Sequence, residues 1–489
     1  MTLTKLPEPD QEVLARSGTI IKDIEQLVSR DAVISDEEGR CAFETDALSA
    51  YRRMPLAVVL PHTTEQVSKV LKYCHQNRIK VVPRGAGTSL SGGALPAEDA
   101  IVIGISKMNR ILDVDFENRF IQVQSGITNL AISQAVSAQG FFYAPDPSSQ
   151  IACTLAGNLA MNAGGAHCLK YGVTTNNVLG VKIVMMDGEI VDLGGPHLDS
   201  EGYDLLALVI GSEGQFGIIT EATVRILRKA ESARPILLGF DDCEAAGQCV
   251  AAIIGSGIIP VAIEFMDKPA IEVSEAFAKA GYPREVEALL IVEVEGSEDD
   301  VSRLLNDIVE IAAVFNPKAV EPSNSPEQSA RIWKGRKAAF GAFGRISDYY
   351  CMDGTIPLAR LAEVLPKISN ICASKGLKVA NVFHAGDGNL HPLILYDANN
   401  EDEAQKAEIA GAEILKLCVS VGGCLTGEHG IGIEKRDLMG VQFSEADLNV
   451  QMRIRSVFDP GWLLNPGKVF PLEMSERTSA VEALEESPV

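Results

Sequence analysis

The spacing of apolar residues changes character several times along the chain, and each change predicts an element. Residues 13–30 carry helical spacing and lead into the acidic turn Asp36-Glu37-Glu38-Gly39. Residues 57–61 form a short apolar run that reads as a strand. Thr63 or Thr64 then caps a helix through Cys74, with Glu65 in its first turn, where a carboxylate suits the helix dipole. Residues 79–82 read as the next strand. This strand–helix–strand unit feeds a glycine-rich loop, Pro83-Arg84-Gly85-Ala86-Gly87-Thr88-Ser89-Leu90-Ser91-Gly92-Gly93. Glycines let successive backbone N–H groups converge on an anion, and three hydroxyls add donors. The loop reads as a phosphate cradle or, equally, as a plain surface loop.

Beyond the loop the pattern turns strand-rich. Residues 100–105 and 120–124 predict strands, 129–139 a helix, and Pro145-Asp146-Pro147-Ser148-Ser149 a stiff turn. Small residues return at 154–165. Strands at 178–186 and 189–193 flank a hairpin turn at Asp187-Gly188, and a third glycine cluster spans 211–220. From about Ala230 the character changes. Strands at 235–240, 261–266 and 288–295 alternate with helices at 243–256 and 297–315. That alternation predicts an α+β domain with an antiparallel sheet and helices on one side. A polar loop at 321–329 precedes a helix at 329–344 and a strand at 349–352. Next come a helix at 357–374, strands at 379–383 and 392–396, and a helix at 401–421. The tail beyond Pro471 is acidic and reads as disordered.

A chain of 489 residues predicts two or three domains. Its 43 basic and 66 acidic residues leave a net charge of −23. That balance disfavours nucleic acid or an anionic membrane as a general partner, so an anionic substrate needs a local basic site. Ten cysteines without a CxxC pair predict reduced thiols, a cytoplasmic location and no iron–sulfur cluster within the chain. The first ten residues lack the pattern of a signal peptide, and no apolar stretch approaches the roughly 20 residues of a membrane span. Peripheral attachment to a membrane stays open.

Two groups of residues suggest chemistry. His384-Ala385-Gly386-Asp387-Gly388-Asn389-Leu390-His391 places two imidazoles about a glycine turn, and Gly427-Glu428-His429-Gly430 follows later. Imidazoles with a carboxylate suit a divalent metal that keeps open positions. The same spacing also suits hydrogen-bonded loop histidines. Arg336 lies in the cationic run Arg331-Ile332-Trp333-Lys334-Gly335-Arg336-Lys337, and arginine suits carboxylate recognition. The glycine loop has neither the lysine of a nucleotide P-loop nor the third glycine of a dinucleotide fingerprint, which argues against a nicotinamide enzyme.

Three glycine clusters in this order, then His-x6-His and Gly-Glu-His-Gly, resemble the FAD-linked oxidases of the vanillyl-alcohol oxidase type. Within that family the resemblance is to the branch that holds bacterial glycolate oxidase and the D-lactate and D-2-hydroxyglutarate dehydrogenases. Residues 145–150, 167–172, 348–357 and 465–468 add to it, over about 46–471. The resemblance implies an α+β protein. After an N-terminal helical segment (1–50) would come a two-lobed PCMH-type FAD-binding domain (51–230) and a substrate domain (231–430). A C-terminal segment (431–471) would pack back on the FAD domain, before an acidic tail (472–489).

The resemblance also implies roles. The first glycine loop (Pro83, Arg84, Gly85, Ala86, Gly87, Thr88, Ser91, Gly92) would hold the FAD diphosphate. Pro147, Ser148, Thr154, Gly157, Asn158, Gly164, Glu213, Gly217, Ile218 and Asn465 would line the rest of a non-covalent FAD. His384, His391 and Glu428 would bind a divalent metal (zinc, manganese or iron). His429 would be the catalytic base, and Arg336 would bind the substrate carboxylate. One departure matters: Cys351 and Met352 stand where the hydroxyglutarate enzymes carry a lysine for a second carboxylate. That points to a short 2-hydroxy acid, glycolate first and D-lactate as the alternative. Iron–sulfur and second flavin subunits leading to membrane quinone would take the electrons, and could hold the chain at the inner face of the cell membrane. A non-catalytic FAD-binding subunit is the reading from another class.

Overall fold

The computed structural model describes residues 4–197 and 202–475. The expected acidic tail lies outside the described residues from 476 on. Two compact units emerge. One comprises Gly164–Gly172 and Lys229–Glu428; the other comprises Thr4–Ala163, Val173–Arg228 and the chain from His429 onward.

In the second of these, two sheets organise two lobes. The first sheet has the order Val33–Ile34, Ala57–Val59, Ala100–Gly104, Lys80–Arg84. Its last three strands run parallel, and the two-residue strand at its edge was not foreseen within the N-terminal helices. Helix Thr64–Gln76 is the crossover. Thr63, not Thr64, caps it, accepting a hydrogen bond from the Gln66 N–H, and Val67, Val70, Leu71 and Cys74 form its buried stripe. The other sheet is antiparallel, in the order Ile111–Asp115, Phe120–Gln124, Ile218–Arg225, Val178–Val184, Ile190–Gly194. Strand Ile111–Asp115 escaped the pattern because its apolar residues face outward at an edge. The small-residue stretch after Thr154 is helix Leu155–Met161.

The C-terminal return joins the first sheet. Val81 donates its N–H to Leu463 O (2.9 Å) and accepts from the Asn465 N–H (2.8 Å), so this segment extends the strand that delivers the glycine loop. Helix Glu445–Phe458, which the sequence reading left unassigned, precedes it.

The other unit is built on one seven-stranded antiparallel sheet. Its order is Ala319–Pro322, Ser232–Phe240, Ala288–Gly296, Ala262–Asp267, Lys378–His384, Pro392–Tyr396, Asp348–Cys351. Helices cover both faces rather than one. Strand Ala262–Asp267 is buried at all six positions, which requires cover above and below. Leu237, Met266, Leu289 and Ile291 meet helices Lys268–Ala278 and Pro326–Phe343, while helices Cys243–Gly255 and Glu298–Ala313 pack against the same strands with the alternate set. The expected loop at 321–329 is also corrected. Residues up to Pro322 form an edge strand, and Ser325 caps a helix that starts at Pro326, where proline's missing N–H costs nothing.

Candidate functional site

Strand Lys80–Arg84 ends in the glycine loop. Among the described residues, no backbone N–H from Gly85 to Leu90 donates to a protein acceptor, and all six residues are half-buried or exposed. Six successive free backbone donors form the kind of nest that can hold an anion. Gly85 is required by close approach, because a Cβ there would overlap Thr154 Oγ1. Gly87 sits at φ +74° with the Arg84 guanidinium behind it. Arg84 is buried and donates Nη1–H to Thr45 O (2.8 Å), so it supports the loop from beneath.

The structure separates the other expected cofactor residues into two groups. Thr154, Gly157 and Asn158 lie on or before helix Leu155–Met161, with Thr154 Oγ1 accepting the Gly157 N–H (3.4 Å), directly against Gly85. Ser148 is exposed beside buried Pro147. Ser91, Glu213 and Asn465 instead turn inward. Ser91 has no exposed surface and donates its Oγ–H to His429 O (2.9 Å). Glu213 accepts the N–H groups of Ile431 (2.6 Å) and Gly432 (2.8 Å). Asn465 donates to Gly93 O (3.0 Å) and Glu213 O (2.7 Å). These three clamp the chain at 429–432 and the glycine loop to one frame. Gly92 is buried against Ile433 in that frame, and Gly217 and Ile218 pack into the sheet beside Ile183. Thr88 stays at the rim of the loop, half-buried with Pro83. Gly164 belongs, with Glu428, to the unit of the seven-stranded sheet, and there it backs onto the Glu428 carboxylate.

Sequence reasoning missed the cation beneath this frame. Lys468 is buried and donates to Gly93 O (3.0 Å), Leu95 O (2.7 Å) and Asn465 Oδ1 (2.5 Å). Burial lowers its pKa to about 7, against the pull of Asp46 and Glu213.

The second cluster lies in the unit with the seven-stranded sheet. Strand Lys378–His384 ends at His384, a glycine turn follows, and His391 enters the next strand. The two rings stand 5.2 Å apart, edge to face. His391 Nε2 lies 3.0 Å and His384 Nε2 3.5 Å from the same oxygen, Glu428 Oε1. The far side of each ring fixes its orientation. His391 Nδ1–H donates to Met352 O (3.2 Å), which can only accept, and this turns Nε2 toward Glu428. His384 Nδ1 pairs with Glu264 Oε1 (2.8 Å). These three ligand atoms lie within 4.8 Å of one another, and both rings are held from behind. The donor set therefore fits a divalent metal.

The charges respond accordingly. Burial works against both protonated imidazoles. Even so, Glu264 and Glu428 raise His384 well above its ordinary value, and Cys351 with Glu428 raises His391 to about 10. Burial opposes ionisation of Glu428, yet the two imidazoles hold it well below the usual carboxylate range. Asp353 orients Glu428 by accepting the N–H groups of Gly427 (3.1 Å) and Glu428 (3.1 Å) and the Thr426 hydroxyl.

Arg336 is buried on helix Pro326–Phe343. Its Nε and Nη2 both reach Glu264 Oε2 (2.7 Å each), while Nη1 has no hydrogen-bond partner among the described residues. Glu264 itself has no exposed surface. Burial works against its carboxylate, but Arg336 and His384 outweigh that and keep its pKa below the ordinary value. A signal for it existed: it is the lone acid amid the apolar residues of Ala262-Ile263-Glu264-Phe265-Met266. Of the other cations in the run, Arg331 pairs with Glu321 and Lys337 lies over Trp333. Cys351 is buried next to His391, and the Met352 side chain packs against Gly411, so neither offers a cation.

One unit carries a glycine loop with free backbone N–H groups, and the other carries two imidazoles converging on Glu428 with Arg336 on Glu264. Solved structures share this fold. p-Cresol methylhydroxylase with substrate bound superimposes with a TM-score of 0.80 at 15% identity, over 95% of this chain and 98% of that one. A 4-ethylphenol oxidase from Gulosibacter chungangensis gives 0.79 at 16% identity, over 96% and 100%. Residues 55–194 match the FAD binding domain family, and 229–469 match the C-terminal domain of FAD linked oxidases. The glycolate oxidase subunit GlcD of Escherichia coli K12 is 48% identical over 95% of this chain and 92% of that protein. Its Bacillus subtilis counterpart is 36% identical over 94% and 99%. A D-lactate dehydrogenase of Archaeoglobus fulgidus is 34% identical over 87% and 94%. The chain belongs to the FAD-linked oxidases and is a flavoprotein. No helix among the described residues is long and apolar enough to cross a membrane.

Proposed function

We propose that the chain oxidises a short 2-hydroxy acid, glycolate to glyoxylate, as the FAD-bearing subunit of a larger complex. The observation that carries this reading is the shared arrangement about Glu264: an arginine with one free N–H face and a metal-type donor set joined through a single buried carboxylate. In this reading the unit with the glycine loop is the FAD half and the unit with the seven-stranded sheet is the substrate half.

When bound, FAD accepts a hydride, and a divalent ion on His384, His391 and Glu428 supplies Lewis acidity toward a hydroxyl oxygen. Arg336 pairs with the substrate carboxylate through Nη1, and its backing by Glu264 fixes the direction of that group. His429 takes the hydroxyl proton on its imidazole; its carbonyl is tied to Ser91, and the N–H groups that follow are tied to Glu213. As the Cα–H bond breaks with its electron pair, the alcohol carbon becomes a carbonyl. Arg336 is the one cation this reading assigns to a carboxylate. Cys351 and Met352 add none, which favours a monocarboxylate.

Similarity to both glycolate oxidase subunits and D-lactate dehydrogenases leaves the extra methyl as the point of discrimination. Such a difference is worth about 1–3 kcal/mol. The description of the glycolate oxidase relatives as subunits supports partner chains for reoxidation, which this reading takes to be iron–sulfur and second flavin subunits. Glycolate added anaerobically to the purified chain should bleach the flavin absorbance, and D-lactate should do so more slowly. With His429→Ala the FAD should stay bound and bleaching should slow by about 100-fold or more. An unbleached wild-type flavin would favour a non-catalytic subunit; unchanged bleaching in the variant would remove His429 from this role.

A further inference from the structure

The proposed reaction gives Arg336 and the metal-type cluster separate tasks, yet one side chain serves both. Glu264 stands mid-strand in Ala262–Asp267 with no exposed surface. Its Oε2 receives Nε and Nη2 of Arg336 at 2.7 Å, and its Oε1 faces His384 Nδ1 at 2.8 Å. Both oxygens are committed, one to each side. Among the described residues, the Arg336 guanidinium otherwise lies over the Phe340 ring, and His384 otherwise faces Glu428 and the His391 ring.

We infer that Glu264 is a positioning residue that couples metal occupancy to carboxylate affinity, so that each ligand strengthens the binding of the other. This inference rests on the reading of Arg336 and of the His384–His391–Glu428 set given above. The physical route is short. A cation on His384 Nε2 withdraws electron density from the ring and makes Nδ1–H a stronger donor. Glu264 then gives more of its charge to His384 and less to Arg336. The guanidinium keeps its place but has more charge to offer a carboxylate at Nη1. By linkage, a carboxylate on Arg336 must tighten the metal by the same factor. The device needs no motion of either unit. It also explains why an acid is buried here at all, since a buried ion pair by itself adds little to stability over an apolar pair.

The test uses the full chain with FAD bound, stripped of metal by a chelator and then dialysed. Zinc is titrated calorimetrically with and without acetate, which has the carboxylate but no 2-hydroxyl to reach the ion directly. Wild type should bind one zinc, and acetate should tighten that zinc severalfold after correction for the weak association of acetate with free zinc. Glu264→Gln keeps the shape and loses the charge. It should bind zinc about 10- to 100-fold more weakly, as loss of an outer-shell partner typically does, and the acetate effect should vanish. Should Glu264→Gln fail to fold, Glu264→Asp keeps the charge but is one methylene too short to reach both partners, and should lose the acetate effect. Zinc affinity or acetate coupling equal to wild type in a folded variant overturns the inference alone. A flat zinc titration of wild type overturns both it and the metal reading.

Discussion

In the proposed reading, the glycine loop and the imidazole cluster are opposite solutions to binding an ion. From Gly85 to Leu90 the donors are backbone N–H groups, left without protein partners at a half-exposed surface. Around His384 and His391 the donors are side chains, buried and already bonded on their far sides to Glu264 and to Met352 O. The first site spends no side chain and so cannot be emptied by truncation; only a bulkier residue closes it. The second depends on each atom, because removing one partner strands the others in a low-dielectric interior. The two sites should therefore break in different ways.

The sharpest break is Glu428→Ala. It removes the oxygen toward which both Nε2 atoms point, leaving two imidazoles with no negative partner on that side. Loss of an outer partner already costs about 10–100-fold in metal affinity or activity, and loss of this inner one should exceed that. Metal content by emission spectroscopy and turnover with a dye acceptor should fall together, with FAD content unchanged. A variant that kept turnover would show that the cluster is structural.

Next in size is Gly85→Val. Its side chain would run into Thr154 Oγ1 and the Gly157 backbone, which must shift for the loop to keep its course. The ratio of flavin to protein absorbance should drop severalfold, while zinc binding in the other unit stays at the wild-type level. A flavin ratio equal to wild type would mean that the six free N–H groups are not the anion site.

The comparison also explains what the sequence could and could not reveal. The glycine loop was legible because backbone sites need particular residues in one contiguous run, and a strand signal stood before it. His384, His391 and Glu428 were legible as donor types, but their convergence on one oxygen was not, since a loop boundary at 37 residues' remove decides it. Glu264 and Lys468 went unread for a common reason. Each acts through tertiary partners far along the chain, Arg336 and His384 for one, Gly93 and Leu95 for the other. Ser91 and Glu213 fell in recognisable glycine clusters, but nothing local shows that their side chains turn inward to hold 429–432. The second helical layer on the large sheet was hidden because strands buried on both faces lose the alternation that marks a half-exposed sheet.

The smallest expected effect tests the cluster through its protons. In the metal-free chain His391 is raised to about 10 and His384 in the same direction. A raised imidazole stabilises the fold fully below its unfolded value, near 6.5 by the usual reference, and that contribution drains away as pH climbs through the folded value. Glu428, held low, has the opposite sign: it stabilises above its unfolded value and loses that only in acid, outside this window. A bound cation replaces the shared protons, and its hold strengthens as they leave. Chelation should therefore lower the melting temperature by more at pH 9 than at pH 6.5, where protons stand in for the ion. Calorimetry with and without chelator at the two pH values reads the difference directly. Equal losses at both would mean that protons and metal do not compete for the same nitrogen atoms, and the convergence on Glu428 would have to serve packing alone.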